Sequence, residues 1–237
     1  MRALLFVIVA GCGAAASSAP PPVIAADAAA LPVRVPFGVA DDAGRLFITR
    51  VDGHIDALDA RTGARLWISP DAATPLVGVD GGVIALVVQR VAFFDRAGQR
   101  MWWSDRIPLG PHPWSLMDPV SVEHGTLHAT LSMTGGGGGM SECMEFDVGA
   151  ADIDLRTGHV ATTFVPSLPP PGPCRAQPPA TITLDGAPLV LTAEVSDAAM
   201  RTGPDGRMWM DRHLVATRDE QIIWMHELPP DDVTPYE

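Results

Sequence analysis

Gly53-His54-Ile55-Asp56-Ala57-Leu58-Asp59-Ala60-Arg61-Thr62-Gly63-Ala64-Arg65-Leu66-Trp67 is the stretch on which the fold turns. Ile55 to Asp59 is short, carries apolar residues and lies between Asp52-Gly53 and Ala60-Arg61-Thr62-Gly63, which is how a strand between two turns reads. Glycine in each turn accepts a positive φ at no steric cost. Ala64 to Trp67 resumes as another strand, and Leu46-Phe47-Ile48-Thr49 supplies one upstream. The segment is a β-meander in miniature.

Working outward, the same pattern returns. Val83 to Val88, Arg90 to Asp95, Gly98 and Gln99-Arg100-Met101-Trp102 form a second copy, with Gly98 and Trp102 spaced like Gly63 and Trp67. A third copy runs from Glu145 to Asp154, through Leu155-Arg156-Thr157-Gly158, to a strand over His159 to Phe164. There Thr162 stands at the tryptophan position. A fourth takes Ala187 to Ser196, His213 to Arg218 and Gln221 to Trp224. Opening strands are expected around Phe37-Val39, Leu76-Val79, Val120-Val122 and Thr181-Leu184, with turns at Asp80-Gly81 and Asp185-Gly186. Three segments stretch the later copies: one around Gly135 to Gly139, one from Pro166 to Pro179, and one from Asp197 to Asp211. Fixed-offset repetition of four-stranded units predicts an all-β, propeller-like array of about four antiparallel blades, closed or open. An irregular antiparallel sandwich is the alternative. The 23 Gly and 23 Pro, spread as punctuation, agree with many short strands.

The run from Gly53 to Trp67 resembles the repeat of the pyrroloquinoline-quinone (PQQ) β-propeller superfamily, in its Ala-Leu-Asp strand end, Thr-Gly turn and terminal tryptophan. The resemblance covers roughly residues 36–228. It implies structural roles for Asp59, Gly63, Trp67, Asp95, Gly98, Trp102, Asp154, Gly158 and Trp224, with the tryptophans docking between blades. The superfamily contains quinone-dependent dehydrogenases on rings of about eight blades and cofactor-free propellers that bind proteins. With about four units, no adjacent cysteines and no obvious ligand set for a hard cation, this chain is expected to be a non-enzymatic member without cofactor. A PQQ-dependent oxidoreductase is the lesser alternative.

Address is read from the N-terminus. Met1-Arg2 is followed by an apolar run, Ala3 to Ala10, too short to span a bilayer. Val9-Ala10-Gly11-Cys12 resembles a bacterial lipobox, which implies lipidation of Cys12 and residence in the cell envelope, periplasmic or at the outer membrane. An ordinary cleaved signal ending near Ala14-Ala15-Ala16 is the alternative. The expected organisation is a signal over 1–12, an Ala/Pro-rich tether over 13–35, repeats over 36–228 and an acidic tail over 229–237. Export makes Cys143 and Cys174 a candidate disulfide, worth about 3–4 kcal/mol by loop entropy. Net charge is −12, and all 16 basic residues are arginine. No basic stripe invites a nucleic acid or an anionic membrane surface.

Chemistry is sparse. His124 and His128, four apart on a strand, would sit about 13 Å apart, too far to share an ion. Met133, Met140, Met144, Met200, Met208, Met210 and Met225 beside His226 form a loose thioether set that a copper(I) sensor would use. Asp41-Asp42 and Asp231-Asp232 read as turn and tail residues, and the Gly135 to Gly139 run lacks the Lys-Ser/Thr of a phosphate loop. The functional expectation is a lipid-anchored propeller that binds an unidentified protein partner; ligand or metal sensing is the second reading.

Overall fold

The structure, a computed structural model, describes residues 33–50, 52–79, 81–114, 116–135, 144–170, 172–173, 179–202 and 208–232. All their regular structure is β. In chain order the strands are β1 (Val33–Val35), β2 (Gly38–Ala40), β3 (Arg45–Thr49), β4 (Ile55–Asp59), β5 (Arg65–Ile68), β6 (Thr74–Val79), β7 (Gly82–Val87), β8 (Arg90–Phe94) and β9 (Arg100–Trp103). They continue as β10 (Leu116–Glu123), β11 (Thr126–Gly135), β12 (Met144–Asp154), β13 (Val160–Phe164), β14 (Gly172–Pro173), β15 (Ala180–Leu184), β16 (Ala187–Thr202), β17 (Met208–Arg218) and β18 (Gln221–Asp232).

These form four antiparallel up-and-down sheets, each pairing its strands in chain order: β1 to β5, β6 to β9, β10 to β13 with β14 added on β12, and β15 to β18. The architecture is a β-propeller-like array of four-stranded units. Two units carry an extra strand that the repeat pattern does not place. β1 falls in the expected tether and pairs with β2 of the first sheet, and β14 comes from the Pro-rich link.

Packing gives the sheets a spatial order. Leu46, Ile48, Leu58 and Ala60 of the first sheet meet Ile182, Leu184, Leu189, Leu191, Leu214 and Trp224 of the fourth. Val39, Phe47, Ile55 and Ala57, on the opposite face of the first sheet, meet Val83, Ala85, Ala92 and Phe94 of the second. The other face of the second, through Ile84, Leu86, Val91 and Phe93, packs on Leu127, Leu131, Val148 and Ile153 of the third. Among the described residues no buried cluster joins the third sheet to the fourth. The order in space is therefore fourth, first, second, third.

Burial follows from that order. β7 lies in a sheet covered on both faces and is buried at every position, the pattern of a strand sandwiched by neighbours. β12 alternates, with Val148, Ala151 and Ile153 buried and Asp147, Ala150 and Asp152 exposed. Its sheet has one dry face and one wet one. The segment expected as an insertion over Asp197 to Asp211 takes the form of a ribbon in its described residues, since β16 runs to Thr202 and β17 begins at Met208. β18 likewise continues to Asp232, through the start of the expected tail.

Candidate functional site

The repeat residues build a joint between sheets. Asp59 closes the β4–β5 turn: its Oδ1 accepts the Arg61 and Thr62 amides at 2.8 and 3.0 Å, and its carbonyl accepts Gly63 N–H at 2.8 Å. Asp95 takes the Ala97 and Gln99 amides, and Asp154 takes those of Arg156 and Thr157. Aspartate suits these turns because its short carboxylate reaches backbone amides two residues on. The Thr157 amide, first among its contacts, holds the Asp154 carboxyl below its ordinary value.

Each glycine at the end of such a turn lies under an aromatic ring or backbone from the neighbouring sheet. A Cβ on Gly63 would stand 2.7 Å from the Trp224 ring, and one on Gly98 would stand 2.7 Å from the Trp67 ring. At Gly158 it would meet Trp103 carbonyl oxygen at 3.0 Å and the Trp102 ring at 3.4 Å. Trp224 Nε1 donates to Ala60 carbonyl at 2.8 Å, and Trp67 Nε1 to Arg96 carbonyl at 3.1 Å. The joint is directional: the fourth sheet docks on the first, the first on the second, the second on the third.

A β-bulge accompanies every docked tryptophan. The outer pairs β4–β5, β8–β9 and β17–β18 each shift register beside it, at Ala57/Leu58, Phe93/Phe94 and Ala216/Thr217. A bulge re-aims the outer strand. The pair β12–β13 runs without a shift, and Thr162 faces Ala151 in plain register. The third sheet's ring is Phe164, which turns back onto Gly110 in the preceding link. The fourth sheet in turn offers no glycine, because its outer turn is Asp219-Glu220, both at positive φ. Both halves of the joint are thus missing between the third and fourth sheets.

The outer strands of the three docked sheets share a second property. Tryptophan points inward and its neighbours point out: Leu66 and Ile68 on β5, Met101 and Trp103 on β9, Ile223 and Met225 on β18. With Ile222, these are seven of the eleven large apolar side chains exposed among the described residues. Exposed apolar groups concentrated at sheet edges are uncommon, since edges are ordinarily blunted by charge or proline.

Electrostatics between sheets are specific. Arg61 grips Asp185 of the fourth sheet through two hydrogen bonds, at 2.9 and 2.8 Å, holding that carboxyl below its ordinary value. Asp56 is buried, with Arg50 and His226 each at 3.5 Å and Arg65 at 3.9 Å. Arg50 holds the exposed Asp52 carboxyl low, through hydrogen bonding first. Burial pushes Asp41 the other way, above its ordinary value. Sequence reasoning missed these contacts, and also the serines that end two outer strands. Ser69 and Ser104 each accept an inner-strand amide, from Ile55 and Val91, at 2.9 Å. Trp-x-Ser, at Trp67 and Trp102, was the available signal.

The other candidates are dispersed. His124 occupies a turn at φ 49°, while His128 lies on β11 with Nδ1 2.7 Å from Asp152 Oδ1 on the solvated face of the third sheet. Among the described residues no three His, Cys, Asp or Glu side chains stand close enough to share a metal. Met133, Met144 and Met210 are partly buried and Met225 is exposed. Cys12, Cys143, Cys174, Met140 and residues 136–139 lie outside the described residues.

No family model and no curated protein sequence matches the chain. Solved structures similar to it include BamB from Moraxella catarrhalis, at 15% identity and TM-score 0.28 over 79% of this chain and 74% of that one. A europium-containing methanol dehydrogenase is similar at 17% identity and TM-score 0.32, over 81% of this chain and 41% of the enzyme.

Proposed function

We propose that this chain is a protein-binding or scaffolding module of the cell envelope, exported and lipid-anchored at Cys12, that presents its outer strands to a protein partner. The observation that carries the reading is the apolar band on β5, β9 and β18, which water does not favour and which stays exposed among the described residues. The docked tryptophans make the band rigid, so little ordering entropy opposes association there. Catalysis and a cofactor form no part of the proposal.

A Cys143–Cys174 disulfide belongs to the same proposal. Met144 pairs with Pro173 and Glu145 with Gly172, and each cysteine is the next residue in sequence to one member of the first pair. Non-reducing peptide mapping that recovers both thiols free in protein exported by its source cells would remove it.

The test is crosslinking of the full-length protein in its source cells, with photoreactive residues at Leu66, Met101 and Met225, and mass spectrometry of the adducts. One recurrent protein partner at these positions supports the reading. Adducts absent at all three positions, with a metal or quinone chromophore retained on the purified protein, would overturn it in favour of a sensor or a redox enzyme.

A further inference from the structure

The protein-binding reading leaves open which edge is used and what chemistry it selects. Resting on that reading, we propose that β5 is the docking edge and that its occupant is an extended partner strand carrying a carboxylate beside alternating apolar side chains.

β5 ends its sheet. Ser69 N–H points inward, to Ile55 carbonyl at 2.9 Å. Alternation along a strand then turns the Ile68 N–H outward, where an added strand would accept it. Leu66 and Ile68 are 47% and 42% exposed, and no proline or acidic residue interrupts Arg65-Leu66-Trp67-Ile68. Strand addition already occurs in this molecule, where β14 lies on the length of β12 that β13 leaves bare.

Charge selects the occupant. Arg65 is half exposed, and among the described residues its one ion-pair contact is Asp56 at 3.9 Å, beyond hydrogen-bond distance. Asp56 lies closer to Arg50 and His226, both at 3.5 Å. The Arg65 fork therefore keeps donors for a second carboxylate, which it can grip in bidentate fashion. The other outer strands lack this combination. Arg100 on β9 is already paired with Asp71 and stacked on Trp103 at 4.1 Å. β18 has no arginine and ends in Pro229-Pro230-Asp231-Asp232, a blunted edge. The open face of β13's sheet is polar.

The probe is a short, terminally blocked, dye-labelled peptide of alternating valine and threonine with a central glutamate, beside a twin with lysine at that position. Both are titrated against the full chain by fluorescence polarisation. The glutamate peptide binds about tenfold tighter than its twin, Arg65→Glu reverses the preference, and Ile68→Pro abolishes binding to both. Proline at Ile68 removes only an outward donor, so circular dichroism and melting temperature stay near wild type. No binding by wild type, equal binding of the two peptides, or binding that survives Ile68→Pro in a folded variant overturns the proposal. Crosslinks to a partner from Met101 or Met225, with none from Leu66, sink the β5 assignment and leave the protein-binding reading standing.

Discussion

Glycines that look alike in sequence divide sharply by what lies above them. Gly63 at φ 69° is roofed by Trp224, whereas Gly186 at φ 78° has nothing within 4 Å of its absent Cβ. Gly186→Ala should cost about 1 kcal/mol, the backbone penalty alone. Gly63→Ala adds an overpacked joint and should cost about 2–4 kcal/mol. Urea unfolding of the two variants separates them; equal losses would mean that the tryptophan roof is soft. Two turn aspartates, Asp154 and Asp52, lose their contribution in acid. Asp154 and Asp52 have folded values below the unfolded one, near 3.8, so their contribution is full above about pH 4 and lost as pH falls through the folded value. Asp154→Asn keeps the oxygen that caps Thr157 but removes the titration. Its stability should fall less steeply below pH 4 than wild type, as followed by thermal melts across pH.

At the scale of the element, tryptophan and bulge work together. The outer strands that carry a docked ring are those that shift register beside it, and β13 does neither. Truncating a docked ring, as in Trp224→Ala, should cost about 3–5 kcal/mol. Trp224→Phe should cost less, losing mainly the bond to Ala60. Restoring the residue without the bulge should not restore the joint. Thr162→Trp is expected to leave stability within about 0.5 kcal/mol of wild type and to add a solvent-exposed, red-shifted emission component. A buried emission with a gain in stability would show that β13 needs the side chain alone.

For the whole molecule, the consequence is an order of sheets that differs from chain order. First and second sheets contribute to two cores each, third and fourth to one each. A permuted chain placing residues 180–232 ahead of 33–165 through a flexible linker follows the spatial order directly. It should fold with an unchanged far-ultraviolet spectrum and an unfolding midpoint near that of the parent. Collapse of the permutant would mean that the link from third to fourth sheet holds the array together. Removing residues 180–232 instead bares Leu46, Ile48 and Leu58, and should raise dye binding to exposed apolar surface.

Strand, turn and repeat were legible in Gly53 to Trp67 and its copies, because they depend on near neighbours: alternation, a turn aspartate, a glycine able to take positive φ. Which sheets are covered on both faces left a trace in the sequence as well. Gly-Val-Ile-Ala-Leu-Val in β7 has no polar side, while Thr-Leu-His-Ala-Thr-Leu in β11 has one, which marks a covered and an uncovered sheet. What lies over Gly63, and which histidine stands beside Asp56, depend on residues more than a hundred positions apart, brought together when the fourth sheet packs on the first. Local pattern carries no information about such pairs. The repeat was therefore determined by sequence alone, while the joint, its direction and the edges it leaves exposed were decided by tertiary packing.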